Sequence, residues 1–141
     1  MNKRRLWKLA RLLEQDAANK HGVKFDLASW AQRNGAREFP KKVKKLDCKT
    51  TACAVGLACL SGVFAKEGFS WKPSSSDNNI VPIFEGQEDF GAVTRFFDIS
   101  MNEAVTLFVD SRYYNDGLPT QGAEGERAVA KRIREFVRNR G

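Results

Sequence analysis

The sequence has few of the residues that build metal sites and disulfide frameworks. It contains three cysteines and one histidine in 141 residues. An odd number of cysteines leaves at least one thiol unpaired, whereas small secreted scaffolds usually carry an even number. We therefore expect reduced thiols and no disulfide.

Long apolar runs are also missing. No segment reaches the roughly 20 apolar residues that a membrane-spanning helix needs. Charged residues (Lys8, Arg11, Glu14 and Asp16) interrupt the apolar core that a signal peptide requires near the N-terminus. These two absences predict a cytoplasmic protein with no membrane partner.

Cofactor signatures are absent as well. Neither glycine-rich phosphate motif, GxxxxGK[ST] or GxGxxG, occurs in the chain. Cys48, Cys53 and Cys59 fall in a predicted helix on which they point in different directions or lie too far apart to share one ion. We therefore predict no cofactor and no metal, and a binding protein rather than an enzyme.

The composition that remains is that of a single globular domain covering residues 1–141. Hydrophobic residues make up 42% and charged residues 29% of the chain, and the net charge is +7. The charge is segregated: residues 1–49 hold 14 basic and 5 acidic residues, residues 50–126 hold 4 and 11, and residues 127–141 hold 6 and 1. Basic ends around an acidic middle favour an anionic partner, although such blocks often form plain solvated faces.

The two ends of the chain have the periodicity of amphipathic helices. Leu6, Leu9 and Leu13 share one face over residues 3–20, and apolar residues recur at helical spacing over about 123–139. Each of these two helices also has a basic face, on a different side from its apolar face. The apolar face of the second helix contains Val129, Ile133, Phe136 and Val137.

The centre of the chain predicts a helix that is buried on all sides. The predicted helix covers about 49–61; from Thr50 to Leu60 its residues are apolar or small at every azimuth, and Asp47 is placed to cap the first turn. Ala52, Gly56 and Cys59 form a strip on which another helix can approach closely. Before it, Asp26 is predicted to cap a short helix over 25–31, and an irregular basic loop follows over 33–49.

The second half of the chain mixes two patterns. Residues 69–71 and 80–84 predict a β-hairpin, with Pro82 confining its strand to an edge. Residues 88–97 and a helix opened by the Ser100–Glu103 capping box predict an α-hairpin. A polar, turn-rich segment then covers 110–122. The fold class predicted from all of this is mainly α: a compact helical domain around a buried central helix, α+β only at the margin.

The strongest predicted ligand site is the first turn of the central helix, where free amides and hydroxyl groups suit an anion. The alternative is that Asp47 already satisfies those amides. The predicted ligand-binding residues are Cys48, Lys49, Thr50, Thr51, Lys45, Arg112 and Tyr113.

Basic residues also predict a nucleic-acid surface, with exposed aromatic side chains stacking on bases. The predicted nucleic-acid-binding residues are Lys41, Lys42, Lys44, Arg127, Lys131, Arg134 and Arg138. The candidate stacking residues are Trp7, Trp71, Tyr113 and Tyr114. An alternative class is a cysteine-dependent enzyme, because Cys48 lies between Lys45 and Lys49, which favours a thiolate. His21, the one histidine in the sequence, is the candidate base.

Two short segments, FDLASW and CKTTACAVGLA, resemble an uncharacterised group of small phage and bacterial proteins. The shared pattern is Phe-Asp-x-x-x-Trp, then Cys-x-Thr-x-x-Cys-x-x-Gly-x-Ala, then a late Leu-Phe. The matching positions are Phe25, Asp26, Trp30, Cys48, Thr50, Cys53, Gly56, Ala58, Leu107 and Phe108. Lys49 replaces the glycine usual in that group.

The resemblance implies an origin in phage or mobile elements and a bacterial host cell. The function predicted from the sequence is non-enzymatic binding of an anionic partner: a nucleotide-type ligand, a nucleic acid or a nucleoprotein. The resemblance adds a role as a phage-encoded inhibitor of a bacterial defence system. A third alternative is a protein-binding inhibitor that contacts a host protein through its acidic middle segment. The oligomeric state stays open.

Overall fold

The structure, a computed structural model, describes residues 1–43 and 45–140. Within those residues the chain forms six α-helices (49% helical) and two small three-stranded sheets (15% strand), so the fold is an α+β mix and the mainly α prediction is wrong. The helices are α1 (Lys3–Ala17), α2 (Ala54–Ser61), α3 (Asp89–Phe97), α4 (Met101–Phe108), α5 (Asp110–Asn115) and α6 (Gly122–Arg140). The strands are β1 (Lys24–Phe25), β2 (Ala31–Arg33), β3 (Thr50–Ala52), β4 (Ser70–Pro73), β5 (Ile80–Phe84) and β6 (Gln87–Glu88).

The first sheet includes residues at which the sequence predicts two helices to begin. β1 contains Phe25, where the short helix was predicted to start, and β3 covers the predicted first turn of the central helix. The strand order of this sheet is β1-β3-β2, with β1 parallel and β2 antiparallel to β3. Asp26 therefore caps no helix; its carboxylate accepts a hydrogen bond from the amide of Ala28 in a turn, at 2.9 Å. Likewise Asp47 accepts from the amide of Lys49 at 2.9 Å, which makes a turn before β3.

The central helix is shorter than predicted because Thr50–Ala52 pairs as a strand on both sides. β-Branched threonines favour a pleated strand, and Thr50, Thr51 and Ala52 alternate between buried and half-buried. α2 then begins at Ala54, with the Cys53 sulfur accepting from the amide of Gly56 at 3.4 Å. From Ala54 to Cys59 every residue is buried, so the prediction of a helix surrounded by core is correct over this shorter range.

The small residues of α2 pack against the backbone of the 27–30 turn, and not against another helix as predicted. A Cβ atom at Gly56 would lie 1.6 Å from the carbonyl oxygen of Trp30. That carbonyl also accepts from the amide of Cys53 at 3.1 Å. The 27–30 turn is thereby held directly against the start of α2.

The predicted β-hairpin is present and is extended to the sheet β4-β5-β6. Pro82 lies in the central strand of this sheet, not in an edge strand as predicted. β6 pairs only with Ile83 and Phe84, so no β6 residue is opposite Pro82 and its missing N–H leaves no ladder bond unmade on that side.

The second half contains the predicted α-hairpin and one helix that was not predicted. The Ser100–Glu103 capping box opens α4, and Asp98 in the left-handed conformation ends α3. The turn-rich segment 110–122 contains α5, which brings Tyr113 into the core.

The two terminal helices pack against each other as an antiparallel pair, as the contacts from Glu14 to Arg134 and from Ala17 to Arg127 show. α1 ends at Ala17, earlier than predicted, and α6 agrees closely with its prediction. The facing apolar residues are Leu6, Leu9, Leu13, Val129, Ile133 and Val137, all buried. No helix among the described residues is long and apolar enough to cross a bilayer.

Candidate nucleic-acid interface

The hydroxyl groups predicted to bind an anion are already in use. Thr50 is fully buried, and its Oγ1 accepts from the guanidinium of Arg33 at 2.7 Å. The Thr51 hydroxyl donates to the side-chain oxygen of Asn34 at 2.9 Å. Because β3 precedes α2, these residues also do not form a helix N-terminus, and the physical argument for an anion site there is lost.

The other residues of that prediction are divided between surface and core. Cys48, Lys49 and Lys45 are exposed. Tyr113 is fully buried: its hydroxyl donates to the Leu107 carbonyl at 2.7 Å, and the Arg132 guanidinium lies 4.1 Å from its ring centroid. Tyr113 is therefore a core residue with no surface for a ligand or a base, whereas Arg112 beside it is exposed.

The basic residues predicted on α6 come together on one face. Arg127, Lys131, Arg134 and Arg138 recur at helical spacing and line a single groove, together with Glu14 and Glu135. The remaining predicted residues lie on the loop between β2 and β3. Of these, Lys41 and Lys42 are exposed, and Lys44 lies outside the described residues.

A second groove continues the first one onto α1. It is lined by Trp7, Lys8, Arg11, Leu12, Gln15, Val63 and Arg134. Arg134 lines both grooves, so the two are contiguous. We call the residues lining them the terminal-helix face; it carries six basic and two acidic side chains, a surplus of four positive charges.

Half of these six basic groups are free to meet an outside anion. Arg134 donates two hydrogen bonds to Glu14, at 2.9 and 2.6 Å, and this contact holds the pKa of Glu14 below its usual value. Arg127 donates to the carbonyl of Ala17 at 3.4 Å. Arg11, Lys131 and Arg138 form no ion pair with any residue that the structure describes.

An aromatic side chain stands beside these charges. Trp7 is 55% exposed, although its position next to Leu6 in the sequence left open that it was core. Of the other stacking candidates, Trp71 is half-buried and packs edge-on against Phe39 at 5.3 Å, and Tyr114 is exposed. Trp7 is thus the one indole on the terminal-helix face.

The cysteines show no catalytic arrangement in the described part of the chain. Burial raises the pKa of Cys53 to about 11 and also raises the pKa of Cys59. Cys48 is exposed, and no hydrogen bond between described residues involves its thiol. Over residues 1–43 and 45–140, no three His, Cys, Asp or Glu side chains are grouped to hold a metal ion.

The chain matches no protein-family model, and no curated protein and no solved structure is significantly similar to it. The resemblance to small phage and bacterial proteins therefore stays a prediction that depends on short motifs. The fold and the surface are what support a function.

Proposed function

We propose that this protein binds nucleic acid through the terminal-helix face. The observation that carries the proposal is the packing of α1 against α6, which joins two basic stripes from opposite ends of the chain into one surface. Phosphate groups attract such a surface independently of base sequence.

The extent of the charged surface favours a polymer over a single nucleotide. Arg127 and Arg138 are separated by three turns of α6, which corresponds to roughly 16 Å along the helix axis. Successive phosphates of one duplex strand are roughly 3.4 Å apart along the helix axis, so the basic residues span several phosphates. A single nucleotide would contact only part of the charge.

Trp7 favours single-stranded over duplex ligands. An exposed indole beside basic side chains offers a stacking surface that accepts any base, and one such contact contributes about 1–3 kcal/mol. In a duplex, the faces of the bases are already stacked and are not accessible to Trp7.

Fluorescence anisotropy with labelled single-stranded and duplex oligonucleotides, measured over a range of salt concentrations, tests the proposal. Lys131→Ala/Arg138→Ala should weaken single-strand binding at least tenfold and lower the salt slope by about 1.4, because each lost phosphate contact accounts for about 0.7. Trp7→Ala should weaken binding to the single strand more than to the duplex.

The matched control is Lys24→Ala/Lys66→Ala, which removes the same charge at two exposed positions outside the terminal-helix face and outside the predicted basic residues. It should retain nearly the full affinity. Equal losses in the two double variants would show that only net charge matters, and no binding at low salt would end the proposal. Binding of host nucleic acid or nucleoprotein would take place in the bacterial cytoplasm, as the phage resemblance implies.

A further inference from the structure

A small cleft is separate from the terminal-helix face, since no lining residue is common to the two. It has a volume of about 250 Å³ and lies between the 27–30 turn, the start of α2, α3 and the junction of α4 with α5. This is smaller than the roughly 300–1,000 Å³ of pockets that take drug-sized ligands. The cleft therefore suits one small chemical group.

Three aromatic side chains line this cleft: Trp30, Phe90 and Phe108. The rings of Trp30 and Phe90 have centroids 4.9 Å apart and are tilted by 56°, so they form two walls at an angle. Trp30 and Phe90 are half-buried, and Phe108 is buried. The face of an aromatic ring carries partial negative charge and attracts cations, with tryptophan the most effective.

The charged residue that lines the cleft also favours a cation. Asp110 is half-buried and forms no hydrogen bond or ion pair through its carboxylate with any described residue. Among residues 1–43 and 45–140, no lysine or arginine lines the cleft, in a chain with a net charge of +7. The Cys53 thiol that also lines it accepts from the amide of Gly56, and burial keeps that thiol neutral.

Few hydrogen-bond acceptors remain for a strongly hydrated ion. The side-chain oxygen of Asn79, which also lines the cleft, already accepts from the amides of Ala31 and Ile80, each at 2.9 Å. A metal ion or a primary ammonium group would lose more hydration than Asp110 and the Ser29 hydroxyl can replace. A methylated ammonium group is weakly hydrated and gains from contact with ring faces.

We propose that this cleft binds a methylated ammonium group, with Trp30, Phe90 and Phe108 surrounding the methyl groups and Asp110 balancing the charge. The site is built in advance of binding, because the Trp30 carbonyl accepts from Cys53 and lies against Gly56. A rigid cleft loses little conformational freedom when the ligand enters. The group has two sources: a free quaternary amine, or a trimethyllysine side chain of a partner protein.

The test is an NMR titration of the full-length protein that follows the Trp30 indole N–H signal, assigned from Trp30→Phe. Choline is compared with 3,3-dimethyl-1-butanol, which has the same shape without the charge, at constant ionic strength. We expect saturable shifts with choline and none with the neutral alcohol. Equal shifts with both compounds, or no saturation with choline, would overturn the proposal.

Asp110→Asn tests the carboxylate with little change in shape, and should weaken choline binding at least fivefold. Asp77→Asn makes the same change in an exposed loop and should leave the affinity unchanged. Unaltered binding by Asp110→Asn would remove the carboxylate from the site and contradict the proposal. A trimethyllysine peptide that binds more tightly than choline identifies a partner side chain as the source, and the reverse order identifies a free amine.

Discussion

Glu14 and Arg134 join the two terminal helices in the middle of the basic face. The guanidinium of Arg134 donates to both carboxylate oxygens of Glu14, at 2.9 and 2.6 Å, across 120 residues of sequence. Both side chains are more than one-third exposed, so solvent screens the pair and its contribution to stability is small, about 0.5 kcal/mol. Its larger effect is on charge, because it neutralises the arginine common to both grooves.

Glu14→Gln should strengthen nucleic-acid binding several-fold at low salt, because it removes a negative charge and releases Arg134 for phosphate contact. The gain should fade at high salt, as fluorescence anisotropy would show. Glu85→Gln is the matched control, since it breaks a similarly exposed pair with Arg95 away from the face. If Glu14→Gln and Glu85→Gln change affinity equally, the terminal-helix face has no special role.

The thermal stability of Glu14→Gln should be lower than that of the parent at neutral pH, and the difference should disappear in acid. The pKa of Glu14 is lowered by Arg134, so the stabilisation is present above the ordinary carboxyl value of 4.5 and is lost as pH falls through the folded-state pKa. A stability difference that stays constant below pH 4 would contradict this assignment.

Gly56→Ala should destabilise the protein severely, by about 3 kcal/mol or more, because the added methyl group would overlap the Trp30 carbonyl. Neither backbone segment can move without breaking the bond from Cys53 to Trp30. Urea unfolding measures the loss. Gly91→Ala is the control. It lies inside α3, and the added Cβ would meet only the Gln87 side chain, at 3.2 Å from its flexible end and at an ordinary 3.6 Å from its Cβ, so it should be neutral or slightly stabilising.

The buried Glu126, beside the half-buried Asp16, predicts an unusual pH dependence. Glu126 is 2% exposed, and its Oε2 and the Oδ2 of Asp16 have no hydrogen-bond partner among the described residues. Burial, followed by the neighbouring Asp16, raises the pKa of Glu126 to about 10, against a smaller opposing effect of Arg127. At neutral pH Glu126 therefore keeps its proton and is uncharged.

The pKa of Glu126 is higher in the folded than in the unfolded state, so ionisation of Glu126 opposes folding. Its effect is absent below pH 4.5, and the protein should lose stability as the pH rises from 4.5 toward 10. The loss is at most roughly 1.4 kcal/mol per pH unit. Glu126→Gln cannot ionise, so it should flatten the pH dependence and raise stability at pH 8.

Urea unfolding at several pH values checks this prediction, with Glu124→Gln as an exposed control on the same helix. A pH profile of Glu126→Gln that runs parallel to that of the parent would show that the carboxyl is ionised in the folded protein.

Tyr113→Phe should cost about 1 kcal/mol of stability and leave nucleic-acid binding unchanged. It removes the hydrogen bond to Leu107 and leaves a buried carbonyl without a partner. Tyr114→Phe, at an exposed position, should change neither quantity. Reduced nucleic-acid affinity of a fully folded Tyr113→Phe would restore Tyr113 as a ligand-binding residue.

A thiol reagent should modify one cysteine quickly in the native protein and the other two only as it unfolds. Cys48 is exposed, whereas Cys53 and Cys59 are buried with raised pKa values. Cys48→Ser should remove the fast phase. Two fast-reacting thiols would mean that the start of α2 opens readily. The Cys48-dependent enzyme and the inhibitor acting through the acidic segment stay predictions.

Helices with a strong apolar stripe were predictable from local pattern alone. α1, α6 and the α3–α4 pair each carry the stripe and, in α4, a complete capping box, and those features act within a few residues of one another. The same is true of the β4–β5 hairpin. The basic stripe of α6 was likewise visible as a repeat of Arg127, Lys131, Arg134 and Arg138.

Pairing between distant segments was not predictable in this way. Residues 50–52 are a strand because β1 and β2 supply hydrogen-bond partners on both sides, and an isolated Thr-Thr-Ala segment next to an apolar run carries no sign of them. The supposed helix start with its free amides at Cys48–Thr51 was wrong for that reason.

The candidate sites likewise combine features that local sequence predicts with features that depend on tertiary packing. Residues 46–62 (LDCKTTACAVGLACLSG) by themselves determined that a helix is buried there, and local periodicity determined that each terminal helix has a basic stripe. Only the tertiary structure placed those stripes side by side, exposed Trp7, buried Tyr113 and gathered Trp30, Phe90, Phe108 and Asp110 around one cleft. Contacts across many residues depend on how elements pack, and the local spacing of residue types does not contain that information.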